Sequence, residues 1–241
     1  MLFKGVPWIT QRLHAFADRV PSQCAVCRNW PARRVCDGCS ARFARPAARC
    51  QRCALRVPEG VAVCGACLRE PPLFDACLAA VDYGYPWAAA LAQFKFQGDP
   101  GWAGTLATLM RSAPWVEPAL DAADRVLPVP LSMERLRERG YNQAALLARH
   151  LAGAKADTQS LLRLHATEAQ SSLPRAQRLR NLRHAFALEP ARATALRGQR
   201  LVLVDDVMTT GATLHAATQA LREAGAGHVT ALVFARTPIN E

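Results

Sequence analysis

The sequence predicts an α/β protein with a doubly wound, mostly parallel sheet, preceded by a small module built around metal. Three observations carry this. From Leu73 onward strand-like and helix-like segments alternate. A strand–helix–strand unit over residues 201–235 requires a right-handed crossover and hence parallel strands. Eight of the nine cysteines fall between Cys24 and Cys67, in a stretch without useful helical or strand periodicity. The expected organisation is therefore an N-terminal helical segment at 1–21, a double cysteine ribbon at 22–72 closed by Pro71-Pro72, and an α/β domain at 73–241.

The elements follow in order. Phe3, Trp8, Leu13, Phe16 and Val20 form a modest amphipathic pattern ending near Pro21. Leu78 to Tyr85 is a strand, Trp87 to Phe96 a helix, Leu106 to Arg111 another helix and Arg125 to Val129 a strand. Asn142 caps a helix with Leu146, Leu147 and Leu151 on one face, which stops at Gly153. Leu201 to Val204 is a continuous apolar strand, Leu214 to Ala224 a helix ended by Gly225, and Val229 to Ala235 a last apolar strand. No run of 18 or more apolar residues occurs, and the first 20 residues lack a signal-peptide pattern, so no membrane span and a cytoplasmic setting are expected.

In that compartment thiols stay reduced, which favours metal over disulfides. The eight cysteines form four C-x-x-C pairs, Cys24/Cys27, Cys36/Cys39, Cys50/Cys53 and Cys64/Cys67. Two such pairs supply four thiolates to one tetrahedral zinc, so four pairs predict two structural zinc ions with no open coordination position. The spacing allows sequential sites (24/27 with 36/39) or interleaved ones (24/27 with 50/53), and iron–sulfur is the alternative chemistry. Cys77 lies outside the array and reads as a buried core thiol. The formal charge of +11 comes mostly from arginine, since only Lys4, Lys95 and Lys155 are lysines. Such an excess favours phosphate, pyrophosphate or nucleic-acid partners. Arg28, Arg33, Arg34, Arg42, Arg45, Arg49, Arg52 and Arg56, interleaved with Trp30 and Phe43, either track a single strand and stack its bases or form a solvated surface.

The stretch LVLVDDVMTTGAT, Leu201 to Thr213, carries the most chemistry. A strand, tight turn and helix start present free N–H groups to a phosphate, and Gly211 lets the backbone approach closely. Thr209, Thr210, Gly211, Ala212 and Thr213 are thus the phosphate-binding candidates. Asp205 and Asp206 would repel a bare phosphate, so their task is to accept hydrogen bonds from vicinal hydroxyls, directly or through a magnesium-bound water. A ligand with a 5′-phosphate and two nearby hydroxyls is a ribose 5-phosphate. No lysine follows Gly211 as a P-loop requires, and Gly225-Ala226-Gly227 lies at the wrong end of its helix for a dinucleotide loop. Lys95, Ser132, Arg135, Arg139, Arg175 and Arg178 are candidates for holding pyrophosphate or another polyanion, and Thr167 to Phe186 reads as a flap.

LVLVDDVMTTGAT resembles the phosphoribosyl-pyrophosphate motif of type I phosphoribosyltransferases. With the four cysteine pairs, FKFQGD, LPVPLSMERLRERGYNQAALLA and TEAQSSLPRAQRLRNLRHAF in this order, nearly the whole chain resembles the ComF family of competence proteins. FKFQGD stands where LKYRGD is more usual. The resemblance implies a double zinc ribbon joined to a sheet of the type I phosphoribosyltransferase type, and handling of incoming single-stranded DNA in the cytoplasm during natural transformation. It also implies phosphoribosyl pyrophosphate or a 5′-phosphorylated strand as ligand, magnesium with it if the domain is active, and a DNA-uptake helicase or recombination protein as partner. In an active enzyme Asp205 and Asp206 would be the catalytic acids, and a nitrogen base would displace pyrophosphate. The other expectation is a sensor of phosphoribosyl pyrophosphate.

Overall fold

A computed structural model describes residues 22–164 and 185–238. Two compact units divide the chain, Met1–Ala44 and Arg45–Glu241. In the first, a turn after Cys24 leads to a bridge between Ser22 and Ala32, and helix α1 (Asp37–Phe43) starts at Cys36, whose sulfur accepts from the Cys39 amide. The second begins with the other cysteine knuckle and its short helix α2 (Gly65–Arg69). The compact units divide after Ala44, and in the second unit Cys50, Cys53, Ala54 and Cys67 belong to the same buried cluster as Phe74, Cys77 and Ala79 of the α/β domain.

That domain runs β1 (Ala76–Asp82), α3 (Trp87–Phe96), α4 (Trp102–Arg111), α5 (Val116–Asp121), β2 (Arg125–Pro128), α6 (Met133–Arg139) and α7 (Gln143–Ala152). It continues through β3 (Leu161–Arg163), β4 (Phe186–Leu188), α8 (Pro190–Ala193), β5 (Arg200–Met208), α9 (Ala212–Glu223) and β6 (His228–Arg236). The sheet order is β1-β6-β5-β2, all parallel, with β3 and β4 forming a separate antiparallel pair. Both faces of the sheet are covered, which is why β6 reads as an apolar run rather than an alternation.

Strand alternation assigns the faces. Leu201 and Leu203 share a cluster with Leu127, Val129, Ala231 and Val233, covered by Leu214, Ala217 and Leu221 of α9, by the β3–β4 pair and by the second knuckle. The other face of β5 meets α7, which also packs on β2 and α4, and on β6 the Trp87 ring stands edge-on to Phe234 at 5.6 Å. The helices after the adjacent strands β2 and β5 thus leave to opposite sides. In a doubly wound sheet that divergence opens a crevice at the carboxyl ends of the strands.

β5 is longer than the apolar run suggests. Asp205 pairs in register with Val233 and Val207 with Ala235, so the acids belong to the ladder rather than to the turn. The expected N-terminal segment at 1–21 lies outside the described residues, as does the predicted flap apart from Ala185 and Phe186. No described helix is long and apolar enough to cross a membrane.

Candidate functional site

β5 ends at Met208, and Thr209 and Thr210 lead to Gly211, the N-cap of α9. Gly211 has φ +81°, a left-handed conformation that disfavours side chains, and a Cβ there would lie 2.5 Å from Met208 Cε. The first helical bond runs from the His215 amide to the Gly211 carbonyl, and no side chain caps the helix N-terminus. Thr210 Oγ1 does accept from the Ala212 amide at 3.4 Å, beyond the usual length. The amides of the first turn of α9 are thus left without a capping side chain.

Just behind this turn the two acids leave β5 on opposite faces. Asp206 is buried and meets Lys95 of α3, whose Nζ lies 2.9 Å from Asp206 Oδ1. Asp205 accepts from the Asp206 amide at 2.8 Å and lies on the side of Arg163 in β3. Burial, and then the charge of Asp206, push the Asp205 carboxyl up to about 7, with Lys95 and Arg163 drawing it back. Asp205 therefore changes charge near neutral pH. Arg163 was not among the sequence candidates. Burial lowers its pKa, the Arg135 charge lowers it further, and Asp205 opposes both. Lys95, Arg135, Arg163 and the two acids thus share one neighbourhood.

The segment Arg139 to Gln143 holds this arrangement in place. Asn142 caps α7 through the Ala145 amide and donates to the Val129 carbonyl at 3.0 Å. Tyr141 Oη and buried Gln143 Nε2 both donate to the Phe94 carbonyl, at 2.5 and 3.3 Å, which fixes the last turn of α3 beside Lys95. Arg139 donates to Gln143 Oε1 and lies over the exposed Phe96 ring, 5.2 Å from its centroid. Ser132 is buried and caps α6, accepting from the Arg135 amide at 3.3 Å, so its hydroxyl already has a structural task. Arg175 and Arg178 lie outside the described residues.

The cysteines assemble sequentially, Cys24, Cys27, Cys36 and Cys39 in one cluster and Cys50, Cys53, Cys64 and Cys67 in the other. Within each, all four sulfurs lie within 4.8 Å of one another, and the Cys27–Cys36 and Cys53–Cys64 separations are 3.6 and 3.7 Å. Those lengths suit the edges of a tetrahedron around one zinc with bonds of about 2.3 Å. Sulfurs this close leave no room for a multi-iron cluster. The Cys36 amide points at Cys24 Sγ and the Cys64 amide at Cys50 Sγ, at 3.4 and 3.3 Å. Burial opposes ionisation at both sulfurs, yet these and neighbouring amides pull Cys24 down to about 6 and Cys50 to about 7. Burial pushes Cys53 up to about 11 and Cys39 to about 12, so Cys24 ionises well before Cys39 and Cys50 well before Cys53.

Several of the ribbon arginines serve as struts. Arg49 donates to Asp82 Oδ1 at 2.7 Å and to the Ala54 carbonyl, Arg56 pairs with the same carboxylate, and Arg52 donates to the Asp75 carbonyl at 2.6 Å. They clamp the second knuckle along β1. Exposed Arg28, Arg33 and Arg42, with Trp30 at 66% exposure, leave a basic and aromatic surface on the first unit. Cys77 is buried, its sulfur 3.6 Å from Met208 Sδ, and burial pushes its thiol up to about 12.

A parallel sheet, a glycine turn with an uncapped helix start and paired acids at a strand end are the features of a protein with a phosphoribosyltransferase-type domain. Residues 136–241 match the family model described as phosphoribosyl transferase domain. Over 230 residues the chain is 33% identical to the DNA utilization protein YhgH of Salmonella typhimurium, covering 90% of this chain and 98% of that protein. It is 32% identical over 211 residues to competence protein F of Haemophilus influenzae, covering 84% and 90% of the two chains. With competence protein ComFC of Bacillus subtilis it shares 30% identity over 203 residues, 81% of this chain and 80% of that one. The chain belongs to the ComF family of competence proteins.

Proposed function

We propose that the α/β domain binds a phosphoribosyl group or a 5′-phosphorylated strand end at the turn after β5, and that the protein handles single-stranded DNA during its uptake. The observation that carries this is the uncapped N-terminus of α9 at Gly211, directly behind which Asp205 and Asp206 are placed beside Lys95 and Arg163. The turn amides would take the 5′-phosphate. The acids, once ionised, would accept hydrogen bonds from the ribose hydroxyls. Lys95 pairs with Asp206 and aims it, while Arg163 and Arg135 supply positive charge for a further phosphate. The DNA part of the reading is supported by relatives whose names refer to competence and DNA utilization, and by the exposed arginines and Trp30 of the first unit. Two zinc ions would hold the cysteine knuckles together, since neither segment has apolar bulk enough to fold without them.

Turnover is the second reading, favoured by the paired acids. The bond between the anomeric carbon and pyrophosphate would break as one to an acceptor nitrogen forms, through a transition state with positive charge on the ribose ring. Magnesium, when bound, would neutralise charge on the pyrophosphate. Two carboxylates fall short of a full magnesium shell, so the ligand's own phosphates would complete it. Asp205 and Asp206 would stabilise the positive ring, and the turn amides would fix its 5′ end.

The test compares single-strand binding by zinc-loaded protein and the Asp205→Ala/Asp206→Ala variant, at low salt where the electrostatic contribution is greatest. Loss of DNA binding in the variant joins both halves in one function. Absence of single-strand affinity in the unaltered protein refutes the DNA reading. Pyrophosphate release with magnesium and a panel of nitrogen bases decides the second reading.

A further inference from the structure

Arg236, the last residue of β6, is 5% exposed and spends its donors on backbone carbonyls from three places. Its Nε donates to the Cys53 carbonyl at 2.9 Å. Its Nη1, with two hydrogens to share, lies within donating reach of the carbonyls of Met208 at 3.0 Å, Thr209 and Thr237. One planar fork therefore joins the second cysteine cluster to the end of β5 and the first residue of the phosphate turn. Met208 is in turn the residue against which Gly211 is packed, and its sulfur touches Cys77. Among the described residues no carboxylate pairs with Arg236. The guanidinium is buried, and the carbonyls of Cys53, Met208, Thr209 and Thr237 are what offset its desolvation.

The geometry points to Arg236 as a positioning residue through which the metal-loaded second cluster sets the shape of the phosphate turn. This rests on the phosphate reading of that turn. With the metal in place, the Cys53 carbonyl is fixed and the guanidinium aimed, and the Met208 and Thr209 carbonyls are drawn away from the incoming anion, leaving the amides to face it. Without the metal, the Cys53 carbonyl is no longer held in place, and the turn loosens. Linkage makes the effect reciprocal, so a ligand on the turn should also slow loss of the second metal ion.

The test is amide hydrogen exchange of residues 209–213 in the full chain. It compares zinc-loaded protein, chelator-stripped protein, and zinc-loaded Arg236→Lys, Arg236→Met and Cys36→Ser. Stripping should speed exchange of the turn about tenfold, a coupling of ordinary size. Cys36→Ser, which disables only the first cluster, should match the unaltered protein. Arg236→Lys keeps the charge but cannot span Cys53 and Met208 at once, so its turn should exchange quickly even while two zinc ions remain bound, which separates lost positioning from lost folding. Arg236→Met should show fast exchange that stripping no longer changes. Equal exchange in loaded and stripped protein, or in Arg236→Lys and the unaltered protein, overturns the inference. Calorimetry with ribose 5-phosphate on the same samples separates the two readings. No binding by the unaltered protein refutes the phosphate site while the exchange result still decides the coupling, and equal affinity in Arg236→Lys counts against the coupling alone.

Discussion

Replacing Lys95 by methionine tests the electrostatic frame of the site. The Lys95 ammonium lies 2.9 Å from Asp206, with the two side chains 19% and 8% exposed. Methionine keeps most of the apolar stem and removes only the charge. Breaking a buried pair in this way costs roughly 3–5 kcal/mol where no water reaches, and the partial exposure of Lys95 reduces that to about 2 kcal/mol. For a chain of this size the thermal midpoint should fall by roughly 4–8 °C. The pH dependence has a definite sign. Asp205 titrates near 7 in the folded protein, well above an unfolded aspartate, so its contribution to stability is present at low pH and lost as pH rises through about 7. Lys95 draws the Asp205 carboxyl down, so in Lys95→Met that loss deepens and the deficit is larger at pH 8 than at pH 5. Urea unfolding of the zinc-loaded protein at both pH values measures this. Adding Asp206→Asn should recover much of the loss, giving a coupling energy in the double-mutant cycle. Unchanged stability in Lys95→Met, or a deficit indifferent to Asp206→Asn, refutes the reasoning.

Three further outcomes are expected. Gly211→Ala forces a left-handed φ of +81° on a residue with a Cβ and pushes on Met208. It should cost about 1–2 kcal/mol in unfolding, and calorimetry should show ribose 5-phosphate affinity reduced at least about tenfold. Cys36→Ser and Cys64→Ser should each lower metal content from two zinc ions to one by elemental analysis, but only Cys64→Ser should destabilise the larger unit, because its three partner cysteines lie in the domain core; equal destabilisation would contradict this. Affinity for ribose 5-phosphate with magnesium should increase from pH 6 to pH 8 as Asp205 ionises, and Asp205→Asn should flatten that profile.

The parts legible in the sequence are those with local spacing. The strand–turn–helix after Leu201, the Asn142 cap and the cysteine pairs each declare themselves within a few residues. Asp205 to Met208 did not read as strand, because acids at a buried strand end look like a loop until the ladder to β6 and the Lys95 contact are seen. β3 and β4 have three residues each, too few for a period, and they pair across residues 165–184. Arg163, Arg236 and the Tyr141–Phe94 bond are long-range contacts for which no spacing rule exists. Sequential pairing of the cysteines was undecidable because the gaps between pairs are nearly equal. That the second knuckle shares a buried cluster with β1 is likewise a long-range fact, invisible in a composition that changes at Pro72.

The most direct measurement is calorimetric titration of the zinc-loaded full chain with phosphoribosyl pyrophosphate and magnesium, beside the Asp205→Asn/Asp206→Asn variant. Saturable binding at one site per chain, lost in the variant with zinc content unchanged, is the predicted result. No binding heat in the unaltered protein, or equal binding in the variant, would contradict a phosphoribosyl site at the turn after β5.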